Sequence, residues 1–459
     1  MPARDYDVVI IGSGAAGLAA AVTAYDGGAR VLVLEADDKV GGSSRLSGGH
    51  FYAAGTSAQR EAGIEGDTPD AMFSYFMTLN QWKIEPAVAR RYCDVAAPTF
   101  EWLRGIGVVY KPERVYISGI DTVRRGHPPE GEGLAVVKVL DAERIKRNID
   151  LALVTPADGL LTNDAGLIAG VRAGGEEIRA PVVVIASGGF GHNKEFLAKY
   201  WPDTQMGGEW VWAISGPKSM GDGITLGESV GGTVGGHNRG LLLLTPGFAR
   251  DLEVSAAPWT MLVSRDGRRF CAETAPYTVS AGLFKRNGGV GYAIFDEDAR
   301  RAAAHGPSFN ADTLEAKAKE GRIIRADSLE ALAAQAKINV RPLLGTVEKY
   351  NADCTAGHDS AYFKEARHLR PIVTAPFYAV EIRPAIVAWT GTGLRIDPEA
   401  RVIGGDERTI TGLYAAGETV GTFHGDVYIG GGGSYGPAVT FGRIAGANAA
   451  REALASPDR

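Results

Sequence analysis

The chain has 459 residues, 45% of them hydrophobic and 22% charged, with a formal net charge of −6 and a pI near 5.8. That length is too great for one compact core, so two domains are expected, and the mild acidic balance gives no electrostatic reason to bind nucleic acid or an anionic membrane. Cys93, Cys271 and Cys354 are too few and scattered for a disulfide framework or a haem-attachment motif, and no apolar run reaches the roughly 18 residues of a membrane span. Buried, reduced thiols and a cytoplasmic setting are therefore expected. The first strand begins by Asp7, so no secretory leader is expected.

Residues 7–35 read as one βαβ unit. An apolar strand, Val8 to Ile11, enters the turn Gly12-x-Gly14-x-x-Gly17, a helix follows, and a second strand closes on Glu35. The three glycines suit a tight turn, close backbone approach to a pyrophosphate, and close helix–strand packing. The helix N-terminus offers free N–H groups and a positive dipole end to phosphate. Glu35 stands where a carboxylate accepts hydrogen bonds from the ribose hydroxyls. Strand, turn, helix, strand and acid in register point to a bound dinucleotide.

Immediately after the acid comes Val40-Gly41-Gly42-Ser43-Ser44-Arg45-Leu46-Ser47-Gly48-Gly49, whose small residues suit a backbone laid against a flat polar ring. Helices are expected over 68–80 and 86–104, the second leaving through Ile106-Gly107-Val108. Residues 151–185 alternate apolar and polar around Asp158-Gly159 and Asp164-Ala165-Gly166, the pattern of a hairpin or three-stranded meander. It ends in a strand, Val182 to Ile185, followed by Ala186-Ser187-Gly188-Gly189. Gly221-Asp222-Gly223 opens another helix. From about 236 to 389 the pattern becomes mixed strand and helix, with a charged, Ala-rich stretch over 328–349. Gly412-Leu413-Tyr414-Ala415-Ala416-Gly417-Glu418 is a strand ending in a tight turn, and a last helix is expected over 437–454.

These segments, in this order, resemble the flavoprotein superfamily of fumarate reductase, succinate dehydrogenase and the 3-ketosteroid dehydrogenases. The resemblance implies an α/β architecture: a Rossmann-like FAD-binding domain (1–235 and 390–459) with an inserted α+β substrate-capping domain (236–389). It implies FAD, held by Gly12, Gly14, Ala15, Ala16, Gly17, Glu35, Gly42, Ser43, Ser44, Ser47, Gly48, Gly49, Ser187, Gly188, Gly417, Glu418, Gly433 and Ser434. Succinate dehydrogenases attach flavin through a histidine in the Gly41–Gly49 segment. None occurs there and His50 lies just beyond, out of register, so non-covalent FAD is implied. No metal is expected.

Two segments bear on the reaction. Arg269-Phe270…Glu273-Thr274-Ala275-Pro276-Tyr277 is similar to a pattern of the 3-ketosteroid 1-dehydrogenases, in which the tyrosine removes the proton next to the ketone. Fumarate reductases have a proton-donating arginine in that register. The second segment, His424-Gly425-Asp426-Val427-Tyr428-Ile429-Gly430-Gly431-Gly432-Gly433-Ser434, presents a run of N–H donors suited to an anionic flavin edge or a developing enolate. It is similar to the ketosteroid dehydrogenase pattern, which implies that the Tyr428 hydroxyl and the Gly432 N–H hold the ketone oxygen. In the fumarate reductase register a carboxylate-binding arginine falls on Tyr428, and a His-His-Thr segment falls near Ile386 to Thr390, where no histidine stands. His424 reads as structural rather than catalytic. Tyr116, ahead of Tyr110, is the candidate to share the proton with Tyr277.

The expected function is therefore FAD-dependent desaturation of a cyclic ketone, steroid or smaller, with a diffusible electron acceptor. An ene-reductase of the fumarate or urocanate type remains open and depends on whether Arg124 or Arg125, in Arg124-Arg125-Gly126-His127, reaches a substrate carboxylate. A non-catalytic FAD scaffold or another flavin oxidation, such as amine oxidation, also remains open. A scaffold has no need of the tyrosines beside the glycine run.

Overall fold

A computed structural model describes residues 4–248 and 256–455. The chain divides into two compact units, one comprising residues up to 202 with 213–241 and 388 onward, the other 203–212 with 242–387. The segment 203–212, read from sequence as part of the FAD domain, packs with the second unit.

The first unit is built on a six-stranded sheet in the order Arg401–Ile403, Thr409–Ala415, Val182–Ile185, Val8–Ile11, Val31–Leu34, Asp150–Ala152. All neighbours are parallel except the antiparallel edge strand Arg401–Ile403. The three central strands, Val182–Ile185, Val8–Ile11 and Val31–Leu34, are wholly apolar and wholly buried. Uninterrupted apolar runs of this kind mark parallel strands covered on both faces. The meander is present as Ala157–Thr162, Ile168–Ala173 and Glu176–Arg179. It begins later than the sequence suggests: Asp150–Ala152 joins the central sheet beside Val31–Leu34.

Two helices close the nucleotide fold, Ala15–Asp26 and the C-terminal Tyr435–Ala455. Gly442 and Gly446, one turn apart, face the backbone of the first helix. A Cβ at Gly442 would lie 2.3 Å from Ala16 O, and one at Gly446 2.2 Å from Ala20 O. Only glycine permits so close an approach of two helix backbones. A smaller three-stranded sheet joins Phe51–Tyr52, Arg124–His127 and Tyr116–Ile117.

The second unit is organised on the strand Phe377–Thr390, which pairs antiparallel with Gly291–Asp296 and with Ile324–Ala326, while Met261–Val263 pairs with Gly291–Asp296. The Ala-rich stretch forms two helices, Leu329–Ala336 and Val340–Ala356, broken where Lys337 adopts φ +56°. Pro342 falls in the first turn of the second helix, where a missing N–H costs no helical hydrogen bond.

Candidate cofactor and active site

The carboxyl ends of the central strands open onto a long cleft in the first unit, the place where open α/β sheets take ligands. Its walls include Gly12, Gly14, Ala15, Ala16, Glu35, Gly42, Ser43, Ser44, Ser47, Ser187, Gly188, Gly417, Glu418 and Ser434. Four other residues assigned to the cofactor from sequence stand back from it. Gly17 is a packing position, where a Cβ would lie 1.9 Å from Gly12 O. Gly49 packs on Gly133, Gly48 lies beside the His50 ring, and Gly433 lines a smaller adjoining cleft with Trp389, Phe423 and His424.

The cleft fits a dinucleotide along its length. Gly12 holds φ +106°, and a side chain there would strike Ala186 O at 2.4 Å, so the turn must be bare backbone. The first helix starts at Ala15 with no side-chain cap from Gly14, leaving its positive end toward the cleft. Glu35, 6% exposed, accepts from Ser13 N–H at 2.9 Å on Oε2 and from Asp37 N–H at 2.8 Å on Oε1, which fixes the carboxylate and, with the Ser13 hydroxyl also on Oε2, leaves one lone pair on Oε1 for a ribose hydroxyl. Ser13 Oγ also donates to Glu35 and accepts from Gly41 N–H. On the wall, Ser187 Oγ and Ser215 Oγ are buried without a protein partner, as groups awaiting a polar ligand are. Burial raises the Glu418 carboxyl above its ordinary pKa, opposed by hydrogen bonds at 2.8 Å from Thr390 N–H and Oγ. Sequence reasoning missed Ser13, Thr155 to Ala157, and the 214–219 loop with Ser215, Gly216, Lys218 and Ser219. Ser13 is an unspecified position inside the Gly12-x-Gly14 turn, the other two groups sit in no motif, and tertiary folding alone brings them to the cleft.

The glycine run lies against the small sheet. A Cβ at Gly430 would meet Ser118, one at Gly432 would lie 2.7 Å from Phe51 C and Tyr52 N, and one at Gly431 would meet the Tyr116 hydroxyl, His50 Nδ1 and Ser118 Oγ. The run is not a row of free donors. Gly431 N–H donates to Ser118 Oγ, Gly433 N–H to Gly430 O, and Ser434 N–H to the Tyr428 hydroxyl. The Tyr428 hydroxyl in turn donates to Ser434 Oγ at 3.0 Å, and burial pushes its pKa up to about 12. Tyr428 is thus a neutral phenol tied to the start of the last helix. It stacks on His424, which donates from Nε2 to Gly433 O at 2.8 Å and is held neutral by burial, its pKa lowered to about 3.

Tyr116 reaches the run and Tyr110 does not. The Tyr116 ring lies over Gly126, its strand partner, and its hydroxyl meets His50 Nδ1 at 2.6 Å. Tyr110 is buried against Phe100. Arg125 is buried between Asp67 at 2.6 Å and Asp121 at 3.0 Å, whereas Arg124 is exposed and donates to Ala62 O. His127 bridges Thr56 Oγ1 and Phe51 O.

In the second unit, Tyr277 is the first residue of the helix Tyr277–Arg286. The loop before it is held by a buried ionic cluster. Arg269 pairs with Glu273 and Asp359, each at 2.9 Å, and Lys364 reaches Glu273 at 3.0 Å. The arginine and glutamate of the Arg269-Phe270…Glu273 pattern are therefore anchors for the loop that ends on Tyr277.

The sequence matches the family described as "FAD binding domain" over residues 7–434. This chain is a flavoprotein of that family. It is 31% identical to a fumarate reductase (cytochrome) of Shewanella frigidimarina, across 98% of this chain and 78% of that protein. It is 26% identical to the 4-oxocyclohexanecarboxylate 2-dehydrogenase of Sinomonas cyclohexanicum, across 100% of this chain and 95% of that protein. Its fold is similar to that of 3-ketosteroid Δ1-dehydrogenase from Sterolibacterium denitrificans, with TM-score 0.84 and 24% identity, covering 97% of this chain and 99% of that one. The flavoprotein belongs to the fumarate reductase and ketosteroid dehydrogenase superfamily, binds FAD and is an oxidoreductase. Among the described residues no helix is long and apolar enough to cross a membrane, and no side-chain cluster could hold a metal ion.

Proposed function

We propose that this flavoprotein desaturates the α,β carbon–carbon bond of a cyclic ketone, a 3-ketosteroid or a smaller cyclohexanone-type compound. The observation that carries the reading is Tyr428. At the position where the fumarate reductase pattern has its carboxylate-binding arginine stands a buried phenol with a neutral hydroxyl. A phenol is a poor partner for a dicarboxylate and a good donor to a ketone oxygen. Of the two arginines open to a substrate carboxylate, Arg125 already has two aspartates and Arg124 is exposed and donates to Ala62 O. The relative named for dehydrogenating 4-oxocyclohexanecarboxylate supports the substrate class.

FAD, when bound, supplies hydride acceptance from the β-carbon. The protein's part is to polarise the ketone and accept the α-proton. Tyr428 O–H and Gly432 N–H are assigned to the ketone oxygen, Tyr428 exchanging Ser434 Oγ for it. Tyr277 is assigned as the base, with Tyr116 sharing the proton. We also infer non-covalent FAD, a diffusible electron acceptor and a cytoplasmic setting.

The second reading, an ene-reductase, is favoured by the 31% identity to a fumarate reductase. Anaerobic titration separates the two. A cyclohexanone-type ketone should bleach the bound flavin, and Tyr277→Phe should abolish bleaching while ketone still perturbs the flavin spectrum. Reoxidation of dithionite-reduced flavin by fumarate or urocanate, with no bleaching by any ketone, would establish the reductase instead. Acid precipitation should release the yellow cofactor into the supernatant.

A further inference from the structure

His50 has no part in the reading above, yet it touches the glycine run. It follows Gly48-Gly49 and leads directly into Phe51–Tyr52. Its Nδ1 is 2.6 Å from the Tyr116 hydroxyl, with the two rings edge to face at 5.4 Å. Both atoms point at Gly431, where a Cβ would fall 2.2 Å from the Tyr116 oxygen and 3.0 Å from His50 Nδ1. Any residue other than glycine at 431 would separate the pair from the run. We propose that His50 is the proton acceptor behind Tyr116, forming a histidine–tyrosine pair that positions and deprotonates the phenol beside the glycine run.

The direction of transfer follows from the environment. Burial of the imidazole and the Arg114 guanidinium hold His50 below its ordinary pKa, opposed by Glu132 at the start of its helix. Near neutral pH the ring is uncharged. Burial raises the Tyr116 phenol, so the phenol keeps its proton and donates it to Nδ1, leaving the other ring proton on Nε2. When the ketone loses its α-proton to the Tyr277 base, the proton shared with Tyr116 arrives at the Tyr116 oxygen, and Tyr116 passes its own to Nδ1. The C–H electron pair becomes the enolate, and His50 becomes an imidazolium. Hydride departure from the β-carbon to FAD completes the double bond. Both side chains are only partly buried, so His50 can return its proton to water.

This role rests on the desaturase reading, and the experiment tells the two apart. His50→Asn keeps an acceptor for the phenol but cannot take up a proton. Single-turnover flavin reduction by a cyclohexanone-type ketone, followed from pH 5 to 9, should be about 10²-fold slower in this variant. Its acid limb, which in the wild type falls as His50 is protonated below pH 6.5, should also disappear. A merely structural histidine would lower the rate and leave that limb in place. In parallel, 15N NMR of the holoenzyme without ketone should show His50 as the Nε2–H tautomer with a hydrogen-bonded Nδ1, and Tyr116→Phe should abolish that signature and move the His50 titration. An unchanged acid limb in His50→Asn, or an unchanged His50 titration in Tyr116→Phe, overturns the proposal. If no ketone bleaches the flavin, the desaturase reading and the transfer step fall together, and the NMR arm still decides whether the pair exists.

Discussion

Tyr428 shows how a residue's type and its placement carry different information. The sequence places a phenol beside a glycine run. Folding adds that its proton is already given to Ser434 Oγ and that its oxygen accepts from Ser434 N–H. The hydroxyl is held in place before any substrate arrives, and its donor proton must be redirected to act on a ketone. Removing one donor to a developing oxyanion costs about 10²–10³ in rate. Tyr428→Phe is therefore expected to slow flavin reduction by a ketone by that factor, with FAD content unchanged. Reduction at the wild-type rate would leave Tyr428 as a fastener for the last helix. Arg125 carries the complementary lesson. Its sequence context leaves a substrate carboxylate open, and only the approach of Asp67 and Asp121, one of them distant in sequence, shows that its charge is spent.

At the scale of elements, periodicity and punctuation were legible. The strand Val8–Ile11 has the expected bounds, and the helices Pro69–Leu79 and Pro86–Gly105 fall within a residue of the expected ones. The misses have local causes. Asp150–Ala152 alternates like the meander that follows, and only its parallel pairing with Val31–Leu34 separates them. The last helix starts at Tyr435, ahead of the expected Pro437, because proline is tolerated in a first turn. Gly442 on that helix gives a test of element packing. A Cβ there would lie 2.3 Å from Ala16 O, and Ala16 lines the cofactor cleft. Overpacking of this kind typically costs about 1–3 kcal/mol. Gly442→Ala should lower the urea midpoint and reduce the FAD-to-protein ratio together. Normal values of both would mean that the two helices separate freely.

At the scale of the whole molecule, burial of histidines sets the response to acid. Burial lowers His127 to about 4 and His424 to about 3, below the unfolded value near 6.5. Between those limits the unfolded chain binds more protons than the folded one, so stability is full above pH 6.5 and falls as pH drops. Each histidine contributes a slope approaching about 1.4 kcal/mol per pH unit. Urea midpoints should decline from pH 7 to pH 5, and His127→Gln should flatten part of the decline. A level profile across that window would count against neutral burial of both rings.

What the sequence determined by itself was the flavoprotein fold and its cofactor. Those rest on contiguous motifs, in which Gly12, Gly14 and Gly17 stand within one turn of each other and Glu35 closes the next strand, so local chain geometry suffices to place them. The tertiary structure decided which polar groups are free to act. It tied Tyr428 to Ser434, locked Arg125 between two aspartates, turned Arg269 and Glu273 into anchors, and set His50 against Tyr116. Arg125–Asp67 and His50–Tyr116 join residues far apart in sequence, the other three join residues four to six apart, and in each case a hydrogen bond or ion pair exists only where folding brings donor and acceptor within reach.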